Sequence, residues 1–301
     1  MKLKRSTLFY YGLTELPINI ALFPVLVFIP KYYSVDMGIS LFLAANIILA
    51  VRVFDVITDP LFGYINDRTN TRWGRRRPWI ALATPVMMLS IYMLFLPPEG
   101  SGATYLFGWM MLLSIATTMI MIPYYAWGAE LSPDYNERSR ITGWRAMLGV
   151  VGSLSAQLIP SAALLFFGLG GSGNVLSIVG ISMVILMPIC VFLTVTKVPE
   201  STNRVKSTIS PIKGLKLMLD NAPFKRLILA FMMGGIAVSI TTPLYLFFIT
   251  YVLNEEDMAI YMLTFFYIST FAAVPFWVWL STIIGKHKAY IASFMLIGLT
   301  H

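Results

Sequence analysis

Five ionisable residues stand inside otherwise apolar stretches of this sequence: Glu15, Arg52, Asp55, Asp59 and Arg145. A charge inside a membrane helix costs roughly 2.5–3.5 kcal/mol on insertion scales, so each one calls for a chemical reason. Arg52, Asp55 and Asp59 are spaced three and four apart, which stacks them on one helical face. With that helix ending near Ile65, Asp55 lies about 15 Å from the end and Asp59 about 9 Å, which puts Asp55 near the midplane. Asn19 falls about midway along the first apolar stretch, with Glu15 one turn nearer its start. Thr118 lies about 15 Å from the end of the fourth stretch, and Arg145 about 8 Å into the fifth. A carboxylate pair, a hydroxyl and an amide at one depth are oxygen ligands suited to Na⁺, or to a proton on a desolvated carboxylate. Arg52 and Arg145 either neutralise Asp55, Asp59 and Glu15 to hold helices together, or yield a carboxylate to a cation as a coupling step.

The elements that must carry these groups are set by composition. Of the residues, 57% are hydrophobic and 12% charged, against roughly a quarter charged in soluble domains. The apolar residues come in long blocks without an amphipathic period, as in helices surrounded by lipid. The predicted spans are Leu8–Pro30, Met37–Ile65, Pro78–Pro97, Ala103–Gly128, Arg140–Gly168, Asn174–Thr196, Arg226–Leu253 and Asp257–Ser281. A ninth apolar segment opens at Ala289; to Thr300 it covers only about 18 Å, so the sequence reads as a fragment of a longer chain. The first span is too long for a signal-peptide core. The single cysteine, Cys190, falls in the sixth span, where a small buried apolar role is expected.

The net charge of +8 reflects topology rather than nucleic acid binding. Basic residues crowd every second loop: Lys2, Lys4 and Arg5; Arg68 to Arg77; Arg138 and Arg140; Lys197 to Arg226; Lys286 and Lys288. The alternate loops hold Lys31 beside Asp36, Glu99, Glu255, Glu256 and Asp257. This is the positive-inside pattern, with a cytoplasmic N-terminus at an inner cell membrane.

The loop after the second span carries the most specific local signal, Gly63-Tyr-Ile-Asn-Asp67-Arg68 followed by Gly74-Arg75-Arg76 and Pro78. A glycine near a helix end permits close helix approach, and an acid followed by a basic turn can clamp neighbouring helix ends in a gate. Glu130 to Asp134 and Glu137 to Arg140 form a second mixed-charge loop on the same side. Pro60-Leu-Phe-Gly-Tyr and Gly74-Arg-Arg-Arg-Pro-Trp-Ile-Ala81 have a weak echo six spans later in Pro275-Phe-Trp-Val-Trp and Gly285-Lys-His-Lys-Ala-Tyr-Ile-Ala292. Six spans, a basic linker and further spans make the plan of a two-bundle transporter: residues 1–197 as the first bundle, 198–225 as a linker with a surface helix starting at Ser210-Pro211, and 226–301 as the start of the second.

Two enzymatic readings are weighed against transport. Asp55, Asp59 and Asn66-Asp67 could hold Mg²⁺ and a diphosphate, as in membrane-embedded prenyltransferases, but Glu255, Glu256 and Asp257 fall on the wrong side to form the second acidic cluster. Zinc proteolysis lacks its H-E-x-x-H motif, the histidines being His287 and His301. A facilitator without cation coupling is the other alternative.

Arg52-Val-Phe-Asp55-Val-Ile-Thr-Asp59-Pro-Leu-Phe-Gly63 with Arg72-Trp-Gly-Arg-Arg-Arg-Pro-Trp79 resembles the glycoside–pentoside–hexuronide:cation symporters of the major facilitator superfamily, the group of the melibiose symporter. The resemblance extends to Tyr11-Gly12, Ile122-Pro123-Tyr124, Trp144-Arg145 and Tyr245 to Tyr251. It implies an all-α fold of twelve helices in two bundles, here cut after eight to nine, and alternating access in a monomer without a cofactor beyond the coupling ion. It further implies cation ligands at Asp55, Asp59 and Thr118 and a sugar contact at Arg145. Asn19 and Met121 stand where sugar-binding members carry aspartates, and relatives of this fold carry lysophospholipids with Na⁺. Tyr10, Tyr11, Tyr124, Tyr125, Trp127 and Trp144 are candidates to stack on a sugar ring, or form an interfacial aromatic belt.

Overall fold

The computed structural model describes residues 2–168, 172–200, 211–247, 252–253 and 258–300. Its helices are α1 Arg5–Gly12, α2 Glu15–Val27, α3 Ile29–Lys31, α4 Leu41–Arg68, α5 Arg77–Phe95, α6 Ala103–Glu130, α7 Tyr135–Phe167, α8 Ser172–Lys197, α9 Pro211–Asp220, α10 Ala222–Phe247, α11 Met258–Ile283 and α12 Lys286–Thr300. Among the described residues, seven helical segments are long and apolar enough to cross a membrane, α1 and α2 counting as one. The chain is an all-α, multi-pass membrane protein.

Two compact units divide the chain, residues Met1–Asn203 with Tyr267–His301, and residues Arg204–Phe266. In the first, α4 packs on α6, α5 on α6 and α8, and α2 on α7 and α8. A stripe at helical spacing faces inward: Ile80, Ala83, Met87, Ile91 and Leu94 on α5, and Leu176, Val179, Met183 and Met187 on α8. The opposite faces present Leu82 and Leu89, or Ile181, Ile185, Ile189 and Phe192, outward. The second unit contains α9, which starts on Pro211, and α10. The expected linker residues 201–210 and the acidic cluster Glu255, Glu256 and Asp257 lie outside the described residues, as does Tyr251.

The first predicted span is not one helix. α1 stops at Gly12 and α2 restarts at Glu15. Pro17 has no N–H for the Leu13 carbonyl four residues back, and the Leu16 N–H takes that carbonyl instead at 3.3 Å. The Thr14 hydroxyl at the break donates to Thr194 of α8 at 2.8 Å. A second difference concerns Glu137 and Arg140, expected in a loop. They sit in the first turns of α7, pair at 2.6 Å, and Glu137 also accepts the Leu3 N–H. The loop is short because Asp134 opens α7 as its cap, accepting the backbone N–H groups of Glu137 and Asn136 at 2.8 Å each. Those N–H groups, that of Glu137 foremost, hold the Asp134 carboxyl below its ordinary range.

The sequence echo has a structural counterpart. Pro60 lies eight residues before Arg68, the end of α4, and Pro275 eight before Ile283, the end of α11. Each helix is followed by a glycine with positive φ, Gly74 at 115° and Gly285 at 84°.

Candidate functional site: a carboxylate–hydroxyl cavity between α4 and α6

α4 and α6 run side by side in a constant register. The Ser114 hydroxyl donates to Asp55 Oδ1, and four residues on the Thr118 hydroxyl donates to Asp59 Oδ1 at 2.7 Å. A further four residues on, Gly63 faces Ile122. Spacing by four advances both helices about 6 Å per rung, so two carboxylates on one helix meet two hydroxyls on the other. Asp55 is held at its other oxygen, Oδ2, by Arg52 Nη1 at 3.2 Å. Asp59 has no cationic partner among the described residues.

These groups line a cavity of about 330 Å³ together with Leu22 and Val25 of α2 and Met121 and Tyr125 of α6, toward the small end of the usual range for small-molecule sites, about 300–1,000 Å³. The expected cation-ligand set of Asp55, Asp59 and Thr118 is therefore brought together, and Arg52 joins it.

The proposed solute residues divide. Tyr125 lines this cavity and also a smaller one of about 170 Å³ bounded by Tyr11, Gly128, Arg138, Thr142 and Arg145. The Arg145 guanidinium lies 4.1 Å over the Tyr125 ring, and its Nε is 3.9 Å from Glu15 Oε1. Glu15 is buried, and its Oε2 has no hydrogen-bond partner among the described residues. Asn19 lines neither cavity. Its amide donates to the Glu15 carbonyl at 2.9 Å, and its side chain packs at Gly149 and Gly152 of α7. A methyl group at Gly152 would overlap the Leu16 carbonyl, so this glycine sets how closely α2 approaches α7.

Tyr124 and Trp127 are fully buried and reach neither cavity nor an interfacial belt. Tyr124 stacks on Tyr11 with ring centroids 4.6 Å apart. Each hydroxyl of that pair donates to the other residue's carbonyl, at 2.7 and 2.9 Å. Trp127 donates to the Pro199 carbonyl at 3.0 Å. Both rings are packed in the interior in this structure.

At the ends of α4, α5 and α6 the charged loop closes into a network. Arg76 is almost wholly buried and donates to Asn66, to Asp67 at 2.9 Å and to Glu130 at 2.7 Å; Arg75 reaches the same Glu130 oxygen at 3.1 Å. Glu200, which follows α8, accepts the backbone N–H groups of Arg75 and Arg76 at 2.5 and 2.8 Å and lies 3.7 Å from Arg77. A carboxylate over the free N–H groups at the start of α5 is favoured by hydrogen bonding and by the helix dipole. Gly74 makes room for it, because a β-carbon there would overlap the Glu200 carboxylate. Arg68 stands apart from the network, its guanidinium 4.0 Å over the Tyr64 ring. Gly63 lies inside α4, and a β-carbon there would stay 3.9 Å from Ile122, so close helix approach does not require this glycine.

Sequence reasoning passed over Ser114, Glu200 and the Gly149/Gly152 pair. Ser114 had one available signal: it is four residues before Thr118, as Asp55 is before Asp59.

The profile of the family described as MFS/sugar transport protein matches residues 10–300. Among individual proteins, a candidate glycoside/cation symporter of Escherichia coli (strain K12) is 27% identical over 83% of this chain and 55% of its own length. The isoprimeverose transporter of Lactiplantibacillus pentosus is 23% identical over 97% of this chain and 62% of its own. The sodium-dependent lysophosphatidylcholine symporter 1 of Mus musculus is 24% identical over 87% and 56%. The chain thus spans little more than half the length of the curated relatives it matches.

Proposed function

Because the chain belongs to the MFS/sugar transport protein family, we propose that it supplies the cation-handling part of a secondary transporter, which carries a small solute together with Na⁺ or H⁺ by alternating access. One observation carries this reading: two carboxylates, each faced by a hydroxyl, line a single cavity between α4, α6 and α2. Asp55, Asp59 and Thr118 receive the cation, and Arg52 competes with it for Asp55. The solute, a sugar or glycoside, meets Tyr125 and Arg145 where the two cavities adjoin, and Asn19 and Glu15 position Arg145 from α2. The network of Asp67, Arg75, Arg76, Glu130 and Glu200 latches the ends of α4, α5 and α6 in one state of the cycle. No covalent chemistry is assigned to the chain.

Residues 1–197 form the first bundle, 198–225 a basic linker, and 226–301 belong to a second bundle. The N-terminus is cytoplasmic and the membrane is the inner cell membrane, in keeping with the alternation of basic loops.

Uptake into proteoliposomes tests the reading. A radiolabelled xyloside disaccharide and a labelled lysophosphatidylcholine are offered separately, with and without an inward Na⁺ or H⁺ gradient. The disaccharide is expected to accumulate only with a gradient. Accumulation of the lysolipid instead assigns the solute to the class named for the mouse relative. Uptake indifferent to both gradients, or retained at full rate by Asp55→Asn and Asp59→Asn, rejects cation coupling.

A further inference from the structure

We propose that Ser114 is a ligand of the coupling cation. The inference rests on the cation-symport reading and assigns a further residue to the same cavity.

Hydroxyls inside helices ordinarily turn back to the carbonyl four residues earlier. Thr58, Thr84, Ser90 and Thr117 do so here, bonding Phe54, Ile80, Val86 and Leu113. Ser114 leaves its own helix, crosses to α4 and donates to Asp55 Oδ1, as Thr118 does to Asp59. Both hydroxyls also line the cavity. A hydroxyl that gives its one proton to a carboxylate keeps its lone pairs for an ion lodged beside it.

The two candidate ions make different demands. A proton needs one carboxylate oxygen, whereas a hard metal cation gathers several oxygens at once. Arg52 already holds Asp55 Oδ2, so the carboxylates cannot offer all their oxygens without displacing it. Ser114 and Thr118 supply the missing ligands, one per rung. Ser114 also fixes Asp55 Oδ1 in the cavity that Asp59 lines, so both acids belong to one site. Its loss therefore weakens Na⁺ binding.

The test is ²²Na⁺ binding to the purified full chain in lipid nanodiscs, titrated at several pH values. Ser114→Ala is expected to raise the Na⁺ half-saturation about tenfold, the scale of one hydrogen-bonding or ligand contact to a charged group. Ser114→Cys keeps the size of the side chain, removes the hard oxygen and is expected to behave the same; it answers the question if the alanine variant misfolds. Ser114→Thr retains native binding, and so does Ser90→Ala, a like change on α5 away from the cavity. Native Na⁺ binding by Ser114→Ala or Ser114→Cys, with binding lost in Asp59→Asn, overturns the role of Ser114 and leaves the cation site standing. Native binding by Asp59→Asn overturns the site itself, and the role of Ser114 with it.

Discussion

Replacing Gly74 with alanine probes how the start of α5 is built. The backbone there has φ of 115°, a region in which a side chain costs on the order of 1–3 kcal/mol. The added carbon also overlaps the carboxylate of Glu200. That carboxylate is buried and accepts two backbone N–H groups, from Arg75 and Arg76. Pushing it aside leaves those donors uncapped, at about 2–3 kcal/mol for charge-assisted bonds of which water recovers a part. Gly74→Ala is therefore expected to cost about 3–5 kcal/mol, and Glu200→Ala about 2–3 kcal/mol. The two losses overlap, because the alanine at 74 has already displaced the carboxylate. The double variant should match Gly74→Ala alone, leaving a coupling of about 2 kcal/mol in a double-mutant cycle. Reversible unfolding in detergent micelles, followed by tryptophan fluorescence, measures all four corners. Midpoints should fall by on the order of 10 °C for Gly74→Ala, at a few degrees per kcal/mol. Losses that add to within about 0.5 kcal/mol would refute the idea that this glycine exists to admit the carboxylate.

The other predictions concern the cavity and its surroundings. Asp59→Asn should abolish cation-dependent uptake while leaving the melting midpoint near native, whereas Asp55→Asn should also unpair Arg52; that pair is exposed on the arginine side, so its loss costs under about 1 kcal/mol in the same melts. Tyr124→Phe should cost about 1–2 kcal/mol through its lost bond to the Tyr11 carbonyl without changing solute half-saturation, while Tyr125→Ala should raise it. Asp134→Ala should shift the melting midpoint down at neutral pH and match the native protein in acid. The Asp134 carboxyl titrates lower in the folded state, so its contribution is present above the ordinary aspartate range and is lost as pH falls below that range; a difference persisting at the acid end would contradict the capping role.

Parts of this structure were open to sequence reasoning because they rest on spacing. Asp55 and Asp59 had to share a face, and the depth of Thr118 placed its hydroxyl within reach. The break at Leu13–Thr14 had a signal in Pro17 that its apolar surroundings masked. Ser114 was harder, because a serine within a helix ordinarily satisfies itself on its own backbone, and only the partner helix shows otherwise. Glu200 lay in what read as a polar linker, and its partners are backbone N–H groups, which leave no mark in a sequence. Tyr124 and Trp127 were harder to place for a reason particular to membranes. Lipid and protein core are both apolar, so an aromatic ring near a span's end carries no pattern that separates interface, cavity wall and interior.

The charges placed within the spans combine into a simple balance. Arg52 meets Asp55, and Arg145 meets Glu15 across 3.9 Å with one Glu15 oxygen left over. Asp59 alone has a hydroxyl and no cation among the described residues. In a low-dielectric interior an uncompensated carboxylate is costly unless it is neutralised or wetted. Wetting is available here, since Asp59 faces the cavity, and neutralisation by a single monovalent cation closes the balance. Asp55 and Asp59 are thus unequal in spite of their matched rungs: one has its counter-charge built into the same helix, three residues away, and the other must obtain it from solution. On the proposed reading this inequality is what makes the cavity respond to a cation, because the empty site carries one negative charge in excess and the loaded site none.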